Sequence, residues 1–160
     1  MSKRAENLAE ALERGAAALT NFATNLTESQ WQTAVPNDGR KIGVIVHHVA
    51  TVYPLEISLA QDVGRGKPVV DLNWEFIHNM NAGHAAENSA ATREETIKLL
   101  KQNSAAAATA IRALTDEELD TAVPVSLYGD APLTCQFILE DHAVRHSYHH
   151  LAKIRAALNS

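Results

Sequence analysis

Histidines are frequent in this chain, and one pair near the C-terminus has a spacing that suits metal binding. The sequence holds eight histidines in 160 residues, and His146 and His150 lie four positions apart. On a helix, side chains with this spacing share one face, with their Cβ atoms about 5–6 Å apart. Two imidazoles at that separation can bind one divalent ion, each through a nitrogen about 2.0–2.1 Å from the metal. The pair therefore predicts part of a metal site.

A third ligand has to come from a second helix, because no further residue on the same face can complete the coordination. The doublet His47-His48 lies in another apolar segment, and either member could supply the ligand. His142, one turn before His146, is the main competitor; it could instead be a hydrogen-bond partner of a ligand or line a pocket. His149 points in a different direction from at least one neighbour, so we expect it at the surface or behind a ligand.

Other polar residues near these histidines could hold the ligands in place. Glu140 and Asp141 could accept the second ring N–H of a ligand histidine, as carboxylates often do at protein metal sites. His78 and His84 lie in a shorter segment and are expected to line a pocket at most. Single buried histidines are usually hydrogen-bonded core residues, and exposed ones need no role. From spacing alone, a metal site and a solvated histidine cluster therefore remain alternatives.

Four long amphipathic helices are predicted to position the histidines. Apolar residues recur every three or four positions in four segments of the chain. These segments run from about 2 to 24, from after Gly39 to near Gly64, from Thr92 to Leu114, and from after Pro132 to about Leu158. A shorter helix is predicted over 73–87, between the second and third long helices.

Local signals support these boundaries. Thr92 followed by Glu95 predicts a capping box at the start of the third long helix. Pro54 lies inside the second, where we expect a kink rather than a break. Residues 27–36 and 115–124 align without a gap, each copy begins with a threonine that predicts an N-cap, and each precedes a histidine-bearing helix. This repeat indicates two related helix hairpins.

The composition favours one helical domain. A hydrophobic fraction of 46% with 21% charged residues is typical of globular proteins, and 160 residues are enough to bury a core. Alanine dominates the apolar residues and aromatic residues make up only 5%, so helices can approach one another closely. We therefore predict a single all-α domain over 1–160, a four-helix bundle with a short extra helix between helices 2 and 3.

The charge pattern and the cysteine content argue against several classes of protein. The net charge is -5 with scattered Lys and Arg, which disfavours nucleic-acid binding. Cys135 is the single cysteine and cannot form an internal disulfide. The N-terminus has no apolar signal core, and no run of about 18 uninterrupted apolar residues predicts a membrane span. A cytoplasmic location is therefore expected.

Two histidine motifs together resemble those of a known family. The segments 43–50 (GVIVHHVA) and 142–154 (HAVRHSYHHLAKI) resemble the DinB-like superfamily, which includes the YfiT-type proteins. Trp31 and the turn at 36–40 are similar to the family's lead-in to its second helix. The resemblance covers most of the chain, and the two motifs occur in the expected order and with the expected separation.

This resemblance implies an up-and-down-type four-helix bundle with a connecting crossover, often assembled as a homodimer. It also implies a divalent metal ion, commonly zinc or nickel, whose ligands correspond to His48, His146 and His150. Relatives include metal-dependent hydrolases, and transferases or isomerases that use low-molecular-weight thiols such as mycothiol or bacillithiol.

Three neutral imidazoles would leave the ion with its full charge and an open position, which is typical of catalytic zinc sites. We therefore expect a metal-dependent enzyme that activates water for hydrolysis, or a thiol for transfer or isomerisation, on a small-molecule substrate. Glu56 and His142 are the candidate catalytic residues, and neither is unique as a general base. The alternatives are a non-catalytic bundle that binds a metal or small ligand, and a plain helical interaction module that binds no metal.

Overall fold

Helices form most of the chain, and their ends lie close to the predicted positions. The computed structural model describes residues 1–159. In chain order the elements are α1 (Lys3–Thr24), α2 (Glu28–Trp31), α3 (Ile42–Gly64), α4 (Trp74–Glu87), α5 (Arg93–Arg112), α6 (Asp116–Asp120), β1 (Ala122–Val125), β2 (Ala131–Thr134), α7 (Cys135–Ile138) and α8 (Arg145–Leu158). A π-helical segment, Leu139–Val144, joins α7 to α8, and the three together are called the C-terminal helix below. All five predicted helices are present.

The four long helices pack as a bundle in which each has two main neighbours. α1 packs against α5 and the C-terminal helix, and α3 packs against the same two helices. The core between them is made of aliphatic residues and many alanines, with Ile45, Val49 and Tyr53 of α3 fully buried. This arrangement confirms the predicted all-α four-helix bundle.

α3 and α5 run in the same direction, so the chain has to return along the bundle between them. Trp31 lies against Gly43 at the start of α3, and its indole N–H donates to the carbonyl of Ala91 just before α5. At the other end, Gly64 lies beside Glu118, which follows α5. α4 and its flanking loops make the return. The connecting crossover that the resemblance implies is therefore present, but the expected up-and-down arrangement is wrong, because α3 and α5 are parallel.

The crossover helix α4 lies outside the core and buries none of its residues. Near its start, Trp74 and Phe76 are each 55% exposed. Near its end, Nε2 of His84 is 2.9 Å from Nδ1 of His47 on α3. α4 therefore runs along α3 in the opposite direction, attached by few contacts.

A β-hairpin precedes the C-terminal helix, and the sequence patterns do not predict it. β1 and β2 pair antiparallel, from Ala122↔Thr134 to Val125↔Ala131. The connection between the strands needs a left-handed backbone at Gly129, where φ is 66°. Strands of four residues, each with a proline, carry too little alternation to be distinguished from a loop. The π-helical segment is likewise invisible to helical periodicity.

The predicted caps are present, with one difference. Thr27 and Thr115 form complete capping boxes at the start of α2 and α6, as the internal repeat suggests. The Thr92 hydroxyl caps α5 by accepting the backbone N–H of Glu95. The Glu95 carboxylate, however, accepts from that same hydroxyl at 2.6 Å, and not from the backbone N–H of Thr92 as in a complete capping box. α3 continues through Pro54 without a break. The kink at that proline stays a prediction.

By length and composition alone, α3 could span a membrane. Most of its apolar stretch is buried against the other helices of the bundle. That is the position of a core helix, and one such helix is weak evidence for a membrane span.

Candidate metal site

Three histidines from α3 and α8 meet between the two helices. Each offers a ring nitrogen, and the three nitrogens lie within 4.8 Å of one another. Nε2 of His146 is 3.1 Å from Nε2 of His48, and the ring of His150 packs edge-on to His48 with centroids 5.4 Å apart. His48 and His150 are buried, and His146 is partly buried. The structure thus brings together the three residues that the resemblance selects.

The rotation of α3 distinguishes the two members of the histidine doublet. His48 lies on the side that faces α8 and is 5% exposed. His47 is turned by about 100° around the helix axis and is only partly buried. On α8, His146 and His150 stack one turn apart with ring centroids separated by 4.8 Å. His48 therefore belongs to the cluster, whereas His47 contacts His84 of the neighbouring helix α4.

A buried carboxylate holds one of the three rings in place. Nδ1 of His146 is hydrogen-bonded to Oε1 of Glu56, about two turns after His48 on α3. Because a carboxylate only accepts, the ring N–H is the donor, and the lone pair of His146 stays on Nε2. That nitrogen is the one that faces His48. Glu56, predicted as a candidate base, thus has a positioning role in the structure.

Glu140 and Asp141 do not orient the clustered histidines, and the prediction that they could is wrong. Glu140 is exposed and accepts a hydrogen bond from Gln136 at 2.8 Å. Asp141 accepts one from the Tyr128 hydroxyl at 2.6 Å. Both carboxylates belong to the helix that carries the histidines and find local partners. A carboxylate on the facing helix, that of Glu56, reaches the outer ring nitrogen instead.

The buried polar atoms around the cluster suit a cation. Nδ1 of His150 and Oε2 of Glu56 are buried and have no hydrogen-bond partner among residues 1–159. Burial, followed by the nearby charges of His146 and Arg40, lowers the pKa of His48 to about 3. Burial also lowers the pKa of His150, followed by the effects of His146 and His48. Both rings are neutral at pH 7 and keep the lone pairs that a divalent ion needs.

His142 belongs to a second hydrogen-bonded group, in the π-helical segment. The Tyr128 hydroxyl donates to Oδ2 of Asp141, and its oxygen lies 2.9 Å from Nε2 of His142. Because the hydroxyl has one proton, His142 donates its Nε2–H to the Tyr128 oxygen. Burial lowers the pKa of His142. Tyr128 escapes sequence prediction because it lies in the turn of the unpredicted hairpin.

Two further histidines, on α4, contact other rings and do not line the cavity beside the cluster. His84 and His78, expected to line a pocket at most, both lie outside the lining of the cavity beside the three clustered histidines. The ring of His84 is turned toward His47, which it contacts through Nε2. The ring of His78 packs beside Trp74, with centroids 6.3 Å apart. On a helix with no buried face, these side chains pair with the nearest ring.

A cavity of about 420 Å³ opens beside the three histidines. α3, α4, the β-hairpin turn and the C-terminal helix form its walls. His149 is exposed at its edge, which agrees with the predicted surface position. The volume suits a small molecule. Its lining residues are His48, Val52, Leu55, Glu56, Leu59, Leu72, Trp74, Phe76, Ile77, Met80, Asn81, Leu127, Tyr128, Asp141, His142, Arg145, His146, His149 and His150.

Comparisons with known proteins agree with this fold. A family model described as the DinB superfamily matches residues 11–154. Among solved structures, YfiT from Bacillus subtilis is similar with a TM-score of 0.75 and 21% sequence identity, over 98% of this chain and 87% of that chain. YfiT is described as a probable metal-dependent hydrolase with an unusual four-helix bundle topology. No protein with a curated description matches the chain in sequence.

Proposed function

Because the chain belongs to the DinB superfamily, we propose that it is a metal-dependent hydrolase whose divalent ion is bound by His48, His146 and His150. The observation that carries this function is the approach of three ring nitrogens, from two helices, to within 4.8 Å of one another. Nitrogens that bind one ion lie about 2.0–2.1 Å from it, so any pair more than about 4.2 Å apart would have to move closer together on binding. The description of YfiT as a probable metal-dependent hydrolase supports the same activity.

Two unpartnered buried atoms support a cation at this position. A buried polar atom without a partner costs free energy and in native proteins usually points to a bound water or ion. Nδ1 of His150 and Oε2 of Glu56 are such atoms among residues 1–159. A divalent ion would offset the charge of Glu56 and use the lone pairs of neutral imidazoles.

The cavity beside the cluster favours catalysis over a purely structural or storage role. Structural zinc sites are usually closed by four protein ligands, whereas catalytic sites keep an open position. When bound, an ion with three histidine ligands lowers the pKa of a water ligand toward neutrality and so supplies a nucleophile for hydrolysis. The residues of this chain provide access for a substrate, since His48, His146 and His150 all line the cavity.

Two side chains in the cavity wall have distinct roles in this proposal. Glu56 positions His146 by accepting its Nδ1–H. His142 is the candidate general base or acid: it lines the cavity, and burial keeps it neutral at pH 7. His142 donates its Nε2–H to the Tyr128 hydroxyl oxygen, so its Nδ1 carries the lone pair that can accept a proton.

Zinc or nickel is the ion we propose, because three imidazoles suit both. The same site could hold a low-molecular-weight thiol as thiolate, which would support transfer or isomerisation in place of hydrolysis. Hydrolysis of esters or amides without added thiol distinguishes a hydrolase from a thiol-dependent transferase or isomerase.

The test is elemental analysis of untagged protein combined with a hydrolysis assay. We expect close to one zinc or nickel ion per chain in the wild type, and loss of that ion in His48→Ala and His146→Ala. His78→Ala is a matched control, because this histidine lies outside the cavity. Hydrolysis of an ester and amide panel should disappear with a chelator and return with zinc. Wild-type protein that binds no metal after incubation with zinc and nickel would overturn the proposed function.

A further inference from the structure

The cavity beside the histidines is elongated, and the order of residues along α3 fixes its direction. Its lining residues on α3 extend from His48 to Leu59, which are eleven positions apart. A helix rises about 1.5 Å per residue, so the lined face is roughly 16 Å long. His48 lies at one end of that face and Leu59 at the other, and Glu56, which binds His146 of the cluster, lies between them.

α4 follows the same axis in the opposite direction. The contact between His84 and His47 holds the end of α4 beside the histidine cluster. Trp74, ten residues earlier, is therefore roughly 15 Å away along the helix, near Leu59. Between these ends, Ile77 and Met80 line the cavity. The cavity thus has a histidine end at His48 and an apolar end between Leu59 and Trp74, while His142 and Tyr128 add polar groups to its wall.

The apolar end is open to solvent, although its side chains are large. Leu55 is 58% exposed, and Trp74 and Phe76 are each 55% exposed. All three line the cavity. Scattered exposed apolar residues need no explanation, but a contiguous group around a cavity marks a binding surface. A ligand that covers these side chains and reaches the histidines removes apolar area from water.

Given the hydrolase proposed above, on which this inference rests, we propose that the substrate joins a polar, metal-binding carbonyl group to an aryl or branched alkyl chain. The carbonyl group occupies the histidine end of the cavity. The apolar chain extends along α3 and lies between Leu59 and Trp74. Water-soluble substrates without such a chain leave the apolar end unfilled.

The test compares two chelating probes that differ only in the apolar chain. Acetohydroxamate and 4-phenylbutanohydroxamate share the group that binds the metal, and the second adds a phenyl-bearing chain. Their dissociation constants are measured by calorimetry on zinc-loaded protein, and the mass of the protein is measured in the same buffer. We expect the phenyl probe to bind at least tenfold more tightly, because burial of its ring removes apolar area from water.

Variants at exposed positions test whether the difference in affinity between the two probes arises in the cavity. Leu55→Asn should remove most of the tenfold preference and leave the affinity for acetohydroxamate unchanged. Val70→Asn is the matched control, because Val70 is 68% exposed and lies outside the cavity lining. Both positions are exposed, so neither change should prevent folding. Trp74→Ala provides a second variant at the apolar end.

The remaining outcomes are distinct. Equal affinities for the two probes would overturn the inferred substrate class and leave the proposed hydrolase standing. Failure of both probes to bind zinc-loaded protein would overturn the accessible metal site, and with it both proposals. If Leu55→Asn lowered the mass of an oligomer and left both affinities unchanged, the apolar side chains would serve an interface between copies. That result would also overturn the substrate class.

Discussion

Replacement of Glu56 by Gln tests whether the negative charge of this carboxylate on α3 raises the zinc affinity of the site. The amide of Glu56→Gln keeps the size of the side chain and one acceptor oxygen for the Nδ1–H of His146, but it removes the negative charge. The site is sensitive to this charge because Glu56 is only 9% exposed and water screens it little. The substitution therefore separates charge from shape.

The expected magnitude follows from the hydrogen bond to His146. A hydrogen bond to a charged group contributes about 1.5–3 kcal/mol and a neutral one about 0.5–1.5 kcal/mol. The difference of about 1–1.5 kcal/mol corresponds to roughly tenfold in a binding constant. Loss of outer carboxylates at metal sites usually costs about 10–100-fold in affinity. We therefore expect Glu56→Gln to weaken zinc binding by at least about tenfold.

The assay is a competition titration of zinc against a chromophoric chelator. Glu140→Gln is the control, because Glu140 is exposed and its carboxylate bonds to Gln136. Thermal unfolding of metal-free Glu140→Gln should match the wild type, whereas metal-free Glu56→Gln should be less stable by up to about 1–1.5 kcal/mol because its bond to His146 is neutral. A zinc affinity of Glu56→Gln within twofold of the wild type, with the fold intact, would refute the positioning role.

Two further predictions concern stability. In metal-free protein, burial lowers the pKa of His48 and His150 below the unfolded value, so the unfolded chain binds more protons below about pH 6.5. The free energy of unfolding should therefore fall with decreasing pH, by up to about 2.7 kcal/mol per pH unit for two such groups. Urea unfolding between pH 7 and pH 4 measures this slope. A free energy that does not change with pH would show that the two rings are not buried as neutral groups. Gly43→Ala should destabilise the protein by about 1–3 kcal/mol or more, because an added Cβ would lie 2.4 Å from the buried ring of Trp31. Gly83→Ala on α4 is the control, because its added Cβ would have no atom within 4 Å; it should be neutral or stabilise the protein by up to about 1 kcal/mol. Thermal unfolding compares the two variants. Equal effects would contradict the close packing of α3 on Trp31.

The helices could be predicted from the sequence because their signals are local. Apolar periodicity and the caps at Ser2, Asn73 and Thr92 determine where α1, α4 and α5 begin. The hairpin could not be predicted, because strands this short are stabilised by pairing with each other and with distant residues. Val69, for example, bridges to Val125 of β1. Such contacts are not encoded in any one segment.

The site was predictable in part. Spacing alone indicates that His146 and His150 share a face, but it leaves His47 and His48 as alternatives for the partner. The choice depends on how α3 is rotated in the bundle, which is a property of packing. The role of Glu56 depends on the antiparallel contact between α3 and α8. A homodimer, a cytoplasmic location and a single domain over 1–160 stay predictions.

The metal-binding set of three histidines is tested most directly by anomalous diffraction from crystals of zinc-loaded protein, recorded on both sides of the zinc absorption edge. We expect one strong peak per chain, bonded to nitrogens of His48, His146 and His150 at about 2.0–2.1 Å and open to the cavity on its remaining side. A peak at another group, such as His47 and His84, or a zinc-loaded crystal with no peak at these three residues, would contradict the assignment.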